Sequence, residues 1–167
     1  MIDAELEAAA RRVIEICSSK GLTVATAESC TGGLVTAALT EIPGSSAVVV
    51  CSFVTYSNDA KQNLLGVPES VLRSYGAVSR PTALAMADGA LARTPADLAV
   101  AVTGIAGPGG GSAEKPVGLV HFAAAARSGE RRAHEERFGD IGRTVVRRRS
   151  VGVALAMLEE LAGLARR

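Results

Sequence analysis

The sequence predicts an α/β fold, a three-layer α/β/α sandwich around a mixed, mainly parallel sheet. Three observations carry that expectation. Short apolar runs rich in β-branched residues alternate along the chain with segments of helical period. At 167 residues and 48% hydrophobic content the chain has material for one substantial core, so residues 1–167 are expected to form a single domain. Late in the chain two strand-like runs are joined by the short turn Arg127-Ser128-Gly129, which makes part of the sheet antiparallel.

The elements follow in order. Leu6, Ala9, Ala10, Val13, Ile16 and Cys17 repeat at helical spacing, and Gly21 is a stop signal. Leu22 to Ala27 is a buried-type strand. A helix from about Thr31 to Thr40, with Leu34, Ala38 and Leu39 on one face, closes at Pro43-Gly44. Ala47 to Thr55 is β-branched and reads as a strand. Asn58 to Leu65 and Glu69 to Tyr75 read as short helices ended by Gly66 and Gly76. Pro81 to Leu91 is Ala-rich and helical, with proline acceptable in the first turn. Leu98 to Thr103 and Val117 to Ala125 are apolar strands, and Arg132 to Phe138 is an edge strand. A long helix from about Arg143 to Ala165 closes the chain, with Val146, Val153, Met157, Leu161 and Leu164 assigned to its buried side.

Composition excludes several function classes. Eighteen Lys and Arg against 17 Asp and Glu give a net charge of +1, without the basic excess of a nucleic-acid binder. Aromatics at 3% leave few platforms for stacking bases. No apolar run approaches the roughly 18 residues of a membrane span, and the acidic N-terminus does not read as a signal peptide. The expected partner is a small molecule, with no nucleic acid and no membrane. Cys17, Cys30 and Cys51 lack metal-ligand spacing and read as reduced thiols of a cytoplasmic protein. No metal and no cofactor is expected. The Ala-rich helices suggest a homodimer or higher homo-oligomer.

The stretch Thr26-Ala-Glu-Ser-Cys-Thr-Gly-Gly33 places Ser29 where a strand passes through a tight turn into a helix. Unpaired amides and the positive end of a helix dipole suit an anion or a developing oxyanion there. Ser29 is equally the ordinary choice for a helix N-cap, and Cys30 is an alternative nucleophile. With only two histidines, one inside an apolar strand (His121) and one in a charged stretch (His134), a His-based triad has little material. Of three lysines, Lys61 lies just after a strand, on the first turn of a short helix. There it is either a solvated surface residue or a partly desolvated amine able to act as a base. Thr103 to Ser112 holds five glycines within eight residues after a strand, in neither the G-x-x-x-x-G-K-[ST] nor the G-x-G-x-x-G register. Such a loop is a mere connection or a nest of N–H groups for an anion. Arg143 opens the last helix, and the run Arg147-Arg148-Arg149 reads as a solvated face or a phosphate contact.

Four ordered blocks resemble the CinA C-terminal domain family of the nicotinamide-nucleotide amidase kind: Glu28 to Gly33, Phe53 to Lys61, Thr103 to Gly118, and Phe138 to Arg143. The resemblance runs from about Val13 to Leu158. It implies that the chain corresponds to this domain alone, without the N-terminal molybdopterin-binding-like domain of full-length CinA proteins. It further implies deamidation of nicotinamide mononucleotide (NMN) to nicotinic acid mononucleotide and ammonia. On that reading Ser29 attacks the carboxamide, Lys61 is its base, Tyr56 orients the proton or faces the pyridinium, and Thr103 completes the hydrogen-bond set. Glu28, Cys30, Thr31, Gly32, Gly33, Gly104, Gly107 and Arg143 would bind substrate, with amides near Ser29 and Gly32 holding the oxyanion. The alternative is a nucleotide-binding regulatory module of a competence or DNA-damage system that keeps the pocket without turnover. Two departures stand out. Where the family reads Gly-Asp-Arg, Ile141-Gly142 is inserted before the Arg, leaving Arg143 and Arg147 as rival phosphate contacts. Arg80 stands where the family usually carries Glu.

Overall fold

The computed structural model describes residues 2–165. Helix α1 spans Ala4–Lys20, β1 Val24–Glu28, α2 Leu34–Thr40, β2 Val49–Val54, α3 Asn58–Leu65 and α4 Glu69–Tyr75. Then come α5 Arg80–Arg93, β3 Leu98–Gly104, β4 Leu119–Ala126, β5 Arg131–Arg137 and α6 Arg143–Leu164. The strands form one sheet in the order β2-β1-β3-β4-β5. β1 pairs parallel with β2 and β3, and β4 pairs antiparallel with β3 and β5. Four of the five strands therefore run the same way and only β4 is reversed, a mixed and mainly parallel sheet as expected.

Local signals explain the boundaries that were well placed. Ser57 caps α3 by accepting the Ala60 N–H, and Gly66 ends it with φ 69°, a backbone state that glycine enters without steric cost. Two expected starts shift. Residues 29–33 form a turn, so α2 begins at Leu34, and Ser45–Ala47 makes a single 3₁₀ turn before β2.

The pleat sorts the core. On β3 and β4, Leu98, Val100, Val102, Val120 and Phe122 pack against α1, α2 and α6. Their neighbours Ala99, Ala101, Ala123 and Ala125 face the other way, toward α3, α4 and α5. An alanine face lets a helix approach closely, and α5 answers with Ala83, Ala87 and Ala90, all fully buried. The closest approach is at Gly89, where a Cβ would stand 2.1 Å from the Leu65 carbonyl oxygen of α3. Ala83, Ala87 and Ala90 of α5 are thus used inside one chain, while Ala85 is half-buried and Ala92 exposed.

The buried side of α6 differs from the expectation. Val146 and Leu161 are buried, but the stripe continues through Ser150, Val151, Ala154, Leu155, Leu158 and Ala162. Val153 and Met157 only border the core and Leu164 is exposed. Apolar residues such as Val145, Val153 and Met157 also lie off the stripe, so hydrophobicity alone did not mark which face the sheet and α1 would cover. Leu34 on α2 is likewise half-buried, and Val35 takes its place in the core.

The chain leaves β1 toward β2 on one side, then crosses back to β3 on the other. The crevice at such a reversal, outside the carboxyl ends of parallel strands, is where open α/β sheets bind ligands. Ser29 follows β1 there, and its N–H donates to the Val102 carbonyl of β3 at 2.9 Å.

Candidate active site

A cleft of about 270 Å³ opens at that crevice. Ser29, Cys30, Lys61 and Thr103 line its floor side, and Tyr56, Gly104, Gly107 and Arg143 also contribute to its wall. Lys61 is only 1% exposed although it sits one turn into α3. Its Nζ lies 3.0 Å from Ser29 Oγ and 2.8 Å from the Thr55 carbonyl oxygen. Burial pushes the amine below its usual pKa, because the charged form is desolvated. The other two lysines are committed elsewhere. Lys20 Nζ donates to the carbonyls of Ala162, Gly163 and Ala165 at the end of α6, and Lys115 Nζ donates to the Tyr75 carbonyl.

Neither histidine lines the cleft. His121 Nε2 is 3.6 Å from a Glu135 carboxylate oxygen, and His134 Nε2 is 2.8 Å from Glu136. Cys30 does line it, but burial pushes its thiol up to about 12, so the sulfur stays protonated near neutral pH. Ser29 Oγ thus stands beside an amine held below its usual pKa, whereas the Cys30 thiol is held above its own.

Four residues expected to touch substrate lie behind the turn. Glu28 is fully buried and outside the cleft wall. One carboxylate oxygen accepts from Thr31 Oγ1 (2.7 Å) and from the amides of Gly33 and Val35 (3.0 Å each). The other accepts from the Thr36 amide and hydroxyl, both at 2.9 Å. Glu28 thus occupies the start of α2 as an internal anion, which leaves no anion site at that helix end. Thr31, Gly32 and Gly33 turn toward Glu28 or close the turn and do not line the cleft. The Gly32 N–H is bonded to the Ser29 carbonyl at 3.0 Å, so it is not free for an oxyanion. In the described residues no acceptor takes the N–H of Cys30 or Thr31.

The glycine loop is the opposite case. Ala106, Gly107, Gly109 and Gly110 line the cleft, and no acceptor among the described residues takes their N–H groups. Thr103 Oγ1 donates to the Ala77 carbonyl at 2.8 Å, which ties the segment before α5 to the floor. Ala77 and Val78 join the wall, and no sequence signal marked them. Tyr56 is 60% exposed at the rim, and its hydroxyl oxygen accepts from Arg143 at 2.9 Å.

The sequence profile of the CinA C-terminal domain matches residues 6–162. The chain belongs to the CinA C-terminal domain family. It is 50% identical over 159 residues to the nicotinamide-nucleotide amidohydrolase PncC of Escherichia coli K12, covering 95% of each chain. A putative competence-damage inducible protein of Symbiobacterium thermophilum is 60% identical over 112 residues, and a CinA-like protein of Akkermansia muciniphila 58% identical over 115. Those matches span 26% and 28% of the two longer relatives. The crystal structure of the competence/damage inducible protein CihA from Agrobacterium tumefaciens superposes with a TM-score of 0.95 at 61% identity, covering 96% of this chain and 98% of that one.

The two arginines that were rival phosphate contacts point to different places. Arg143 reaches the cleft, where Nη1 donates to the Gly107 carbonyl at 3.0 Å. Arg147, one turn on, instead donates to the carbonyls of Cys30 (3.1 Å) and Thr31 (3.0 Å) from outside the cleft. Arg148 pairs with Asp3 and Glu5 of α1 and its N-cap. Arg80 opens α5, exposed and outside the cleft wall, so the departure there does not alter the site's own charge. Among the described residues no three His, Cys, Asp or Glu side chains gather as a metal site would require, and no helix is long and apolar enough to cross a membrane.

Proposed function

We propose that this chain is a nicotinamide-nucleotide amidohydrolase that converts NMN and water to nicotinic acid mononucleotide and ammonia by a Ser/Lys mechanism. The observation that carries this reading is the 3.0 Å contact between Lys61 Nζ and Ser29 Oγ, with burial favouring the neutral amine. The family relatives named as amidohydrolases support it.

Ser29 Oγ attacks the carboxamide carbon while its proton passes to Lys61 Nζ. The oxyanion so formed is held by the free amide of Cys30, which lines the cleft beside Ser29. Collapse of the adduct breaks the C–N bond, and Lys61 returns the proton to the departing ammonia. Water then cleaves the acyl-enzyme ester by the same route, with Lys61 first taking and then giving the proton. The 5′-phosphate sits against Arg143 and the N–H groups of Ala106 to Gly110, where fixed dipoles and a fork of donors replace its hydration. Thr103 and Tyr56 hold the walls of the site. The free thiols Cys17, Cys30 and Cys51 fit a reducing, cytoplasmic setting.

The deciding experiment is ammonia release from NMN by purified protein in excess EDTA. Release at an unchanged rate supports the reading. NMN binding without ammonia identifies the nucleotide-binding regulatory module instead. Activity lost to the chelator and restored only by a divalent ion removes the metal-free serine mechanism.

A further inference from the structure

The turn that carries Ser29 is held from behind by two oppositely charged side chains, neither of which enters the cleft. Glu28 takes the Thr31 hydroxyl and the Gly33 amide on one side. Arg147, reaching across from α6, takes the carbonyls of Cys30 and Thr31 on the other. The two do not pair with each other. Their charges meet through the backbone of the turn, so each depends on the backbone staying in one orientation.

Peptide planarity converts this grip into a direction. In a trans peptide the C=O and the following N–H point opposite ways. Holding the Cys30 carbonyl on Arg147 therefore points the Thr31 N–H away from the guanidinium. Holding the Thr31 carbonyl there likewise turns the Gly32 N–H inward, where it closes on the Ser29 carbonyl at 3.0 Å. That bond also fixes the Ser29–Cys30 peptide, whose Cys30 N–H points the opposite way from the Ser29 carbonyl; the Cys30 and Thr31 amides have no acceptor among the described residues, and of the two residues only Cys30 lines the cleft. Gly32 leaves room for the arrangement, since a Cβ there would stand 3.3 Å from Arg147 Nη2 and the backbone is at φ +62°.

We infer that Glu28 and Arg147 are positioning residues that together hold the turn so that the Cys30 amide serves as the oxyanion donor beside Ser29. The inference rests on the amidohydrolase reading for its substrate, but its geometry applies to any acyl or phosphonyl transfer to Ser29. Arginine suits the task because its planar fork spans two neighbouring carbonyls, whereas a lysine ammonium is a single point donor. A donor displaced by even about 1 Å costs on the order of 10²-fold in rate.

The test uses the full chain carrying Arg147→Ala, Arg147→Lys or Glu28→Gln. Two rates are measured. One is NMN turnover, separated into kcat and KM. The other is phosphonylation of Ser29 by an alkyl fluorophosphonate, which forms the Oγ–P bond, releases fluoride and passes the serine proton to Lys61. The phosphonyl oxygen occupies the oxyanion position and the reaction needs no nucleotide. In folded variants kcat and the phosphonylation rate are expected to fall together by about 10²-fold, with KM changed by less than about threefold. Millimolar guanidinium should restore part of both rates in Arg147→Ala and none in Glu28→Gln. A folded Arg147→Ala with wild-type phosphonylation overturns the proposal, and so does a loss confined to KM, which would make Arg147 a substrate contact. If both Arg147 variants fail to fold, the residue is structural and the proposal falls. A wild-type protein that is phosphonylated in an Arg147-dependent way but releases no ammonia would leave the positioning role standing and sink the NMN assignment alone.

Discussion

Ser29, just after β1, and Lys61, one turn into α3, lie 32 residues apart and meet at 3.0 Å between Nζ and Oγ. The Thr55 carbonyl, at the end of β2, fixes the amine from a second direction at 2.8 Å. A lysine that is 1% exposed with no carboxylate partner among the described residues is costly to keep charged, and that cost supports a base at the site.

The pH profile follows from the direction of that shift. Only the neutral amine accepts the serine proton, so kcat/KM should rise with pH through a single pKa below the ordinary lysine value of about 10.4. Lys61→Arg should remain inactive at every pH, because a guanidinium keeps its proton. Near-normal turnover in Lys61→Arg would make the lysine a mere electrostatic contact and move the search for a base to Tyr56.

The same shift appears in stability. Between the depressed folded pKa and the ordinary unfolded one, the unfolded chain binds more protons, so raising pH stabilises the native state. Thermal melts from neutral pH to about pH 9 should show a gain in Tm for the wild type that is smaller in Lys61→Met. Equal slopes would show that the amine is not desolvated.

Ser29→Ala should remove turnover by several orders of magnitude with the fold intact, as measured by ammonia release and circular dichroism. Cys30→Ala should keep most of the activity, since the thiol's pKa of about 12 leaves little thiolate to attack. The reverse order would identify a cysteine hydrolase.

Among the described residues the buried Thr55 hydroxyl has no hydrogen-bond partner, while the Thr55 carbonyl holds Lys61. Thr55→Val keeps the shape and the carbonyl but removes the stranded hydroxyl. A gain of about 1 kcal/mol in urea unfolding is expected, with activity unchanged. A clear loss of stability would reveal a partner for the hydroxyl.

Gly89→Ala places a methyl 2.1 Å from the Leu65 carbonyl, an atom fixed in α3. The clash should outweigh the better helix propensity of alanine and destabilise by about 1–3 kcal/mol. Because α3 carries Lys61, kcat should also fall. A stabilised variant would mean that α3 and α5 can separate freely.

Much of this protein was legible in its sequence because the signals are local. Ser57, Gly66 and Gly76 set the ends of α3 and α4 through capping and backbone freedom, which depend on near neighbours alone. The alternation of apolar strands with helices fixed the layers, and the motif blocks singled out Ser29, Lys61 and the glycine loop. The tertiary structure decided what local pattern does not contain, which is direction. Glu28 turns inward because its carboxylate finds five good donors around the start of α2. Arg147 grips the serine turn, and Arg143 instead reaches the cleft, because α6 lies against α2 and places neighbouring turns at different depths. The buried side of α6 was settled by the sheet and α1 covering one face of a helix whose apolar residues lie on more than one side. Side-chain direction at such positions is the outcome of burial and hydrogen-bond satisfaction across distant segments, and a one-dimensional pattern carries no record of it.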